Sequence, residues 1–198
     1  MKYVNQKAYP DWLYITRTGL DEAEREKGKT TTVYSSACDL CSAVMVADRL
    51  LPECDFDLRA ALRLSYETNA NHRLGTDYLR FAPAFAQLLN LDWAATSDPQ
   101  EMLECLRTGG VAVALVHGDR EGRVGVFSHS GHYVVVLSQE RDGRLAILDP
   151  AYLPGRYDEE GRKGLVELKY GIVAHCALEV LAEDAAPRDP CYFLFWRK

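Results

Sequence analysis

Long apolar runs are absent from this sequence. No stretch in its 198 residues approaches the roughly 20 consecutive apolar residues that a membrane-spanning helix needs. Residues 1–7 also lack the apolar core of a signal peptide. We therefore expect a cytoplasmic protein that has no membrane partner.

Positive charge is scarce as well. The chain carries 23 Lys and Arg against 29 Asp and Glu, and its formal net charge is −6. A nucleic-acid-binding face needs basic side chains to neutralise phosphates, so we expect no nucleic-acid partner. With 47% hydrophobic and 26% charged residues, the composition is that of an ordinary globular protein with a substantial core.

Internal repeats and low-complexity segments are also missing. The length fits a single domain over residues 1–198. In a cytoplasmic chain of this size, we expect free thiols rather than three disulfides. The six cysteines are Cys38, Cys41, Cys54, Cys105, Cys176 and Cys191.

The order of the predicted elements defines the fold class. Apolar periodicity and capping residues predict helices over 38–51, 57–69 and 78–89, the last kinked or restarted at Pro83, and one from Pro99 to the Gly109-Gly110 stop. Strands are predicted over 111–117, 124–127, 132–138, 145–148, 165–170 and 191–196, with surface loops at 151–163 and 183–189. We expect an α+β fold in which an N-terminal helical half, with a buried central helix, packs on a C-terminal antiparallel sheet.

Cys38 opens the most apolar of these helices. Ser35 or Ser36 can cap the helix by accepting from its first free N–H groups. A thiol in the first turn faces unpaired N–H groups and the positive end of the helix dipole, and both favour the thiolate. Cys38 is therefore a candidate nucleophile.

A predicted hairpin brings a base and an acid together. If residues 139–143 form its loop, antiparallel pairing places residue 132 opposite residue 150 or, one residue away, opposite Asp149. His132 and Asp149 then lie at the same open end, within side-chain reach of each other. His132 can act as base, and Asp149 can hold its second ring nitrogen.

Several short motifs resemble those of a known family. In chain order they are Gln6, residues 35–38, residues 43–45, residues 127–135 and Asp149-Pro150. They resemble papain-like cysteine peptidases of the bacteriocin-processing, double-glycine-leader group and its peptidase-like relatives. The resemblance implies a papain-like fold and a cysteine hydrolase acting on a peptide or amide bond.

The resemblance also implies roles for single residues. Cys38 would be the nucleophile, His132 the general base and acid, and Asp149 the orienting residue. Gln6 would donate its side-chain N–H to the oxyanion, together with the Cys38 backbone N–H. This chemistry requires no cofactor.

The sequence departs from the family motif directly after the thiol. Asp39-Leu40 replaces the usual Gly-Pro, and Cys41 stands where Thr is common. A carboxylate beside the thiol opposes the thiolate unless it points to solvent. Two alternatives follow: a catalytically inactive binding module on the same fold, and an acyltransferase or amidase that uses the same triad.

Other arrangements of the same residues give weaker hypotheses. Residues 38–41 form a CxxC and residues 129–132 an HxxH, which together could supply zinc ligands or, for the two thiols, a redox pair or a regulatory disulfide. A structural CxxC usually occupies a tight turn, whereas this one enters a helix. His117 and His129 are interpreted as surface or supporting residues, and His72 and His175 have no partner visible in the sequence.

Overall fold

The computed structural model describes residues 2–16, 31–72 and 75–198. Its strands are β1 (Asn71–His72), β2 (Gly75–Thr76), β3 (Leu91–Thr96), β4 (Val111–Val116), β5 (His132–Gln139), β6 (Leu145–Leu148), β7 (Val166–Lys169), β8 (Val173–Cys176) and β9 (Tyr192–Arg197). Its helices are α1 (Val33–Ser36), α2 (Cys38–Leu50), α3 (Leu58–Glu67), α4 (Tyr78–Leu88), α5 (Pro99–Arg107) and α6 (Leu178–Ala185). Two 3-10 turns, Gln6–Ala8 and Arg156–Asp158, complete the described elements.

Seven strands form one antiparallel sheet in the order β3-β9-β4-β5-β6-β8-β7, and β1 and β2 form a separate pair. The central helix α2 packs on β4 and β5. Ten of its residues are buried, as expected for a helix that is apolar on most sides. The predicted α+β class and the buried central helix are confirmed.

The central strands β4, β5 and β6 are buried on both faces of the sheet. Val135 faces the core that contains α2, α3 and α4, whereas Val134 and Val136 belong to a second core with α5 and α6. Strands covered on both sides have no polar face, which explains the continuous apolar run of β5. A rigid, doubly covered strand therefore carries His132 at its first position.

The hairpin β5–β6 is formed, but its loop lies one residue later than predicted. Val135 pairs with Leu148 and Gln139 with Leu145, with an irregularity between Val136 and Ser138. The loop is centred on Asp142, and the next residue, Gly143, has a φ of +84° that favours glycine. The register differs from the prediction by two residues beside the loop and by one residue at the open end, yet His132 and Asp149 remain at the same end.

Two predictions around the second core are wrong. Residues 124–127 form no strand, because the N–H groups of Val126 and Phe127 donate to Asp184 Oδ2 at 2.9 and 3.2 Å instead of to a neighbouring strand. Residues 183–189 are not all surface loop, since α6 continues to Ala185 and Asp184 is buried.

The four predicted helices lie within two residues of their predicted bounds, whereas α1 and α6 are not predicted from the sequence. α4 runs through Pro83 without a restart, and Asp98 caps α5 by accepting from the Gln100 N–H at 2.7 Å. Among the described helices, none has the length and apolar character to cross a membrane.

Candidate active site

The Cys38 thiol lies in the first turn of α2, where the first N–H groups have no intrahelical acceptor. The predicted serine cap is not formed, and Ala37 occupies the N-cap position without a side-chain bond. Ser35 instead caps the start of α1, because its Oγ accepts from the Thr32 N–H at 3.0 Å. The backbone N–H groups at the Cys38 end are thus left without a serine hydroxyl.

His132 and Asp149 form a buried pair at the open end of the β5–β6 hairpin. His132 Nε2 lies 2.7 Å from Asp149 Oδ1, and the two residues are 4% and 1% exposed. Because Nε2 is engaged, Nδ1 is the ring nitrogen left to act as a base. The sequence prediction of this contact rested on antiparallel pairing, and the geometry agrees with it.

Asp149 receives more donors than the sequence indicates. Its Oδ1 also accepts from the Ala151 N–H at 2.8 Å, and its Oδ2 accepts from Arg156 Nη1 at 3.0 Å and from the Tyr157 hydroxyl at 2.9 Å. Burial alone would raise the pKa of Asp149, but His132, Arg156 and the Ala151 N–H outweigh it and lower the pKa to about 2. The carboxylate is therefore ionised throughout the physiological pH range.

The Cys38 thiol is half-buried and faces the start of β5. The backbone N–H groups of Tyr133 and Asp39 lie close enough to the sulfur to lower its pKa, and Tyr133 directly follows His132. Within the described part of the chain, no hydrogen bond joins the thiol to the His132 ring. The structure thus brings Cys38 close to Tyr133, which follows His132, whereas the hydrogen-bonded pair is His132 and Asp149.

The charge around the thiol differs from the sequence expectation. Burial raises the pKa of Cys38 well above its usual value, and the Asp39 carboxylate raises it further, whereas the two backbone N–H groups lower it. Burial and Asp39 therefore oppose the effect of the helix start on the thiol. Any thiolate has to form by proton transfer or by a change around Asp39.

Asp39 does not point to solvent. It is fully buried, and its Oδ1 accepts from the Leu40 N–H at 2.6 Å. Burial raises the pKa of Asp39 to about 6, although hydrogen bonding at Thr76 and Leu40 opposes that rise. The residue that replaces the family glycine is thus a buried carboxyl group whose charge changes near neutral pH.

Gln6 is placed between the two halves of the site. Its backbone N–H donates to the Pro150 carbonyl at 2.7 Å, and its side-chain Nε2 donates to the Tyr34 carbonyl at 2.8 Å. The side chain is buried, and its Oε1 has no hydrogen-bond partner among the described residues. One N–H of the amide remains available for another acceptor.

Lys7 adds a cation to the same side. Its Nζ donates to the Tyr34 carbonyl at 2.9 Å and lies 4.1 Å from the Tyr34 ring centroid. Burial and Arg156 lower the pKa of Lys7, while Cys38 and Asp149 raise it. The Gln6 and Lys7 side chains therefore share one acceptor, the Tyr34 carbonyl, and Lys7 lies within electrostatic reach of Cys38.

The other histidines do not join the site. His129 is exposed and lies between Asp119 Oδ2, at 2.8 Å, and Glu159 Oε2, at 3.0 Å. His175 is buried in β8, and His117 is half-buried beyond β4. The side chain of His72 is outside the described residues.

The zinc hypothesis finds no ligand set. His129 and His132 each contact a different carboxylate, and no group of three or more His, Cys, Asp or Glu in residues 2–16, 31–72 and 75–198 could hold a metal ion. All six cysteines are free, including Cys38 and Cys41. The thiols do not form the proposed regulatory disulfide in this structure.

The sequence predicts a surface loop over 151–163 and indicates no contact of Arg156 or Tyr157 with Asp149. The segment contains a 3-10 turn at Arg156–Asp158, and Tyr157 and Arg162 are buried. The available signal was its content of aromatic residues and arginine directly after Asp149-Pro150, which is unusual for a solvated loop.

The fold is that of papain-like cysteine peptidases. It is similar to the peptidase domain of Streptococcus ComA, a bifunctional ABC transporter of a quorum-sensing pathway, with 14% identity and a TM-score of 0.52 over 81% of this chain and 91% of that one. It is also similar to a Bacillus anthracis protein described as a C39-like peptidase, with 10% identity and a TM-score of 0.53 over 81% and 88% of the two chains. At these identities the likeness establishes the fold, and it agrees with the family resemblance of the motifs.

Comparison by sequence adds nothing to this. No protein-family model matches the chain, and no curated protein matches it.

Proposed function

We propose that this protein is a cysteine hydrolase that cleaves a peptide or other amide bond through Cys38, His132 and Asp149. The observation that carries the proposal is the buried 2.7 Å contact between His132 Nε2 and Asp149 Oδ1. His132 directly precedes Tyr133, whose backbone N–H lies close enough to the Cys38 sulfur to lower its pKa. A nucleophile, a base and an orienting carboxylate at one place are the requirements of acyl transfer.

In the proposed first half-reaction, His132 Nδ1 takes the proton from Cys38 as the sulfur attacks the substrate carbonyl carbon. Because burial and Asp39 raise the pKa of the thiol, the proton leaves during attack rather than beforehand. The carbonyl oxygen becomes an oxyanion, which the Cys38 N–H and the free N–H of Gln6 Nε2 stabilise. His132 then gives the proton to the leaving amine, and a thioester remains on Cys38.

In the second half-reaction, water replaces the amine. His132 takes a proton from the water molecule, whose oxygen attacks the thioester carbon. The C–S bond breaks, the thiol regains its proton, and the carboxylic acid leaves. Asp149 stays ionised in both halves and stabilises the imidazolium each time it forms.

This mechanism requires a peptide or another amide as the substrate. We propose that the protein acts in the cytoplasm. Neither a metal nor an organic cofactor enters a step. The net charge of −6 and the absence of basic runs support a substrate that is not a nucleic acid.

An activated ester tests the proposal without knowledge of the substrate. Incubation with p-nitrophenyl acetate should place one acetyl group on Cys38, visible by intact-protein and peptide mass spectrometry, and the group should then be lost by hydrolysis. We expect H132A to slow acetylation by about 10²- to 10⁴-fold, the usual range for a general base. Cys54 is also half-buried and serves as an internal control. Equal acetylation of Cys38 and Cys54, unchanged in H132A, would contradict the proposal.

A catalytically inactive binding module is the second candidate. The observation in its favour is the buried Asp39 carboxyl group, which together with burial holds Cys38 as a thiol. This candidate predicts that Cys38 is no more reactive than Cys54 at any pH at which the protein is folded. A pool of fluorogenic peptide amides would remain uncleaved by both the wild type and C38S.

A further inference from the structure

We propose that Arg156 and Tyr157 are positioning residues of the catalytic site, which hold Asp149 in the one orientation that serves His132. The inference rests on the proposed function and extends it to two residues beyond the triad. Neither residue belongs to the motifs that resemble the peptidase family. Both act through Asp149, and among the described residues neither side chain has a hydrogen bond to the thiol.

The donors on Asp149 are divided evenly between its two oxygens. Oδ1 accepts from His132 Nε2 and the Ala151 N–H, and Oδ2 accepts from Arg156 Nη1 and the Tyr157 hydroxyl, all at 2.7 to 3.0 Å. Two donors on each oxygen occupy the acceptor positions of the carboxylate. Rotation about the Cβ–Cγ bond would break all four hydrogen bonds, so Oδ1 remains directed at His132.

Arg156 is itself fixed by its surroundings. Its Nη1 also donates to the Phe127 carbonyl at 3.2 Å, and its own carbonyl accepts from Arg162 Nη1 at 3.4 Å. Arg162 is fully buried, donates to the Gly125 carbonyl at 2.8 Å and pairs with Glu159 at 2.9 Å. The segment after Asp149 is therefore anchored to the loop before His132, which is where a positioning group has to be anchored.

Tyr157 is fixed by packing. Its ring lies edge-on to Phe127, with centroids 6.0 Å apart, and stacks on Tyr152 at 5.9 Å. Burial and the neighbouring Asp149 charge raise the pKa of Tyr157 well above its usual value. The hydroxyl therefore stays protonated and acts as a donor to Oδ2 at every pH at which the protein is folded.

The charges around Asp149 give Arg156 a second effect. Arg156 is the cation on Oδ2 and the imidazolium is the cation that forms at Oδ1, with Lys7, Tyr3 and Cys38 as the other ionisable groups within electrostatic reach. Asp149 consequently divides its charge between two cations. Removal of Arg156 should strengthen the attraction of Asp149 for the imidazolium while it loosens the orientation of the carboxylate.

The test combines R156Q, R156K and Y157F with R144Q as the matched control. R144Q removes the same charge at the loop end of the same hairpin, where Arg144 pairs with Asp142 and Glu167. Y157F keeps the ring packing and removes only the hydroxyl. The readouts are the low-field proton resonance of the His132–Asp149 hydrogen bond, the pH profile of Cys38 alkylation by iodoacetamide, and hydrolysis of the acetyl group on Cys38.

We expect the low-field resonance to shift or broaden in R156Q and Y157F. In R156K and in the control R144Q it should keep its wild-type position and width. Deacetylation should slow in R156Q by on the order of 10- to 100-fold, as for a displaced catalytic group. The acid limb of its alkylation profile should move to higher pH, because a stronger attraction of Asp149 for the imidazolium keeps the base protonated. An unchanged resonance and an unchanged profile in folded R156Q and Y157F would overturn the inference. An unreactive wild-type Cys38 would contradict the proposed function alone, because the resonance reports positioning without turnover.

Discussion

The backbone N–H of Gln6 donates to the carbonyl of Pro150 at 2.7 Å. This bond fastens the N-terminal segment to the residue after Asp149, so a residue at position 6 and a residue from the far end of the hairpin belong to one site. The Gln6 side chain then reaches the other half of the site, since its Nε2 donates to Tyr34 at 2.8 Å. The candidate oxyanion donor is thus held from both ends.

Replacement of Gln6 by Ala should affect turnover and spare thiol chemistry. The backbone bond to Pro150 does not involve the side chain and should persist. Loss of one oxyanion donor typically lowers kcat by about 10²- to 10³-fold. We expect that loss in ester or peptide hydrolysis, with Cys38 alkylation by iodoacetamide unchanged, because alkylation forms no oxyanion. Equal hydrolysis rates in Q6A and the wild type would exclude Gln6 from the mechanism.

Replacement of Asp39 by Asn should make Cys38 more reactive. Asp39 is one of the two largest causes that raise the pKa of the thiol, and the amide removes its charge without a change in size. A decrease of one unit corresponds to about a tenfold gain in thiolate. We expect D39N to alkylate about tenfold faster at pH 7, and D48N, at the other end of α2, to behave as the wild type. A D39N rate no higher than that of D48N would show that Asp39 does not restrain the thiol.

The buried Asp39 also predicts how stability depends on pH. Its pKa rises on folding from 3.8 to about 6, so the folded state binds the proton more tightly than the unfolded chain does. The contribution of this group to the free energy of unfolding is therefore fully present below pH 4. It falls by about 3 kcal/mol as the pH rises through 6. Urea unfolding of the wild type between pH 4 and 7 should show this slope, and D39N should not. If the free energy of unfolding depended on pH in the same way in the wild type and in D39N, the raised pKa of Asp39 would be contradicted.

Asp149 has the opposite dependence. Its pKa falls on folding from 3.8 to about 2, so its contribution of about 2 kcal/mol is present above pH 4 and is lost as the pH falls toward 2. D149N presents an amide to four donors and leaves Arg156 without a counter-ion. We expect it to lower the free energy of unfolding at pH 7 by about 3 kcal/mol, the usual cost of removing one partner of a buried pair. Wild-type stability in D149N, measured by urea unfolding, would contradict the described ion pair.

Sequence patterns predicted the parts of this site that depend on local geometry. His132 and Asp149 are joined by a short hairpin, so antiparallel pairing alone brought them together, and an error of one residue in the register did not separate them. The buried helix that begins at Cys38 was visible as a continuous apolar run. Gln6 was reached only through the family resemblance, since its contacts with Pro150 and Tyr34 join segments that are distant in sequence.

The parts that were missed depend on tertiary contacts. Residues 151–163 have no helix or strand periodicity, yet Arg156 and Tyr157 return to Asp149 and the buried Arg162 holds them there. The apolar residues 124–127 resemble a strand, but Asp184 takes their N–H groups. The effect of Asp39 on the thiol also depends on burial. A sequence gives the charge of a side chain but not its exposure.

The relative alkylation rate of Cys38 and Cys54 at pH 6 tests the central claim most directly. Both thiols are half-buried and are measured in the same molecule, with C38S and C54S to assign the products and H132A to remove the base. The account predicts that Cys38 reacts at least about tenfold faster than Cys54, since a base that removes its proton increases the reactive fraction, and that H132A abolishes the difference. Equal rates for the two thiols in the folded wild type, or a fast Cys38 that is indifferent to H132A, would contradict a catalytic pair of Cys38 and His132.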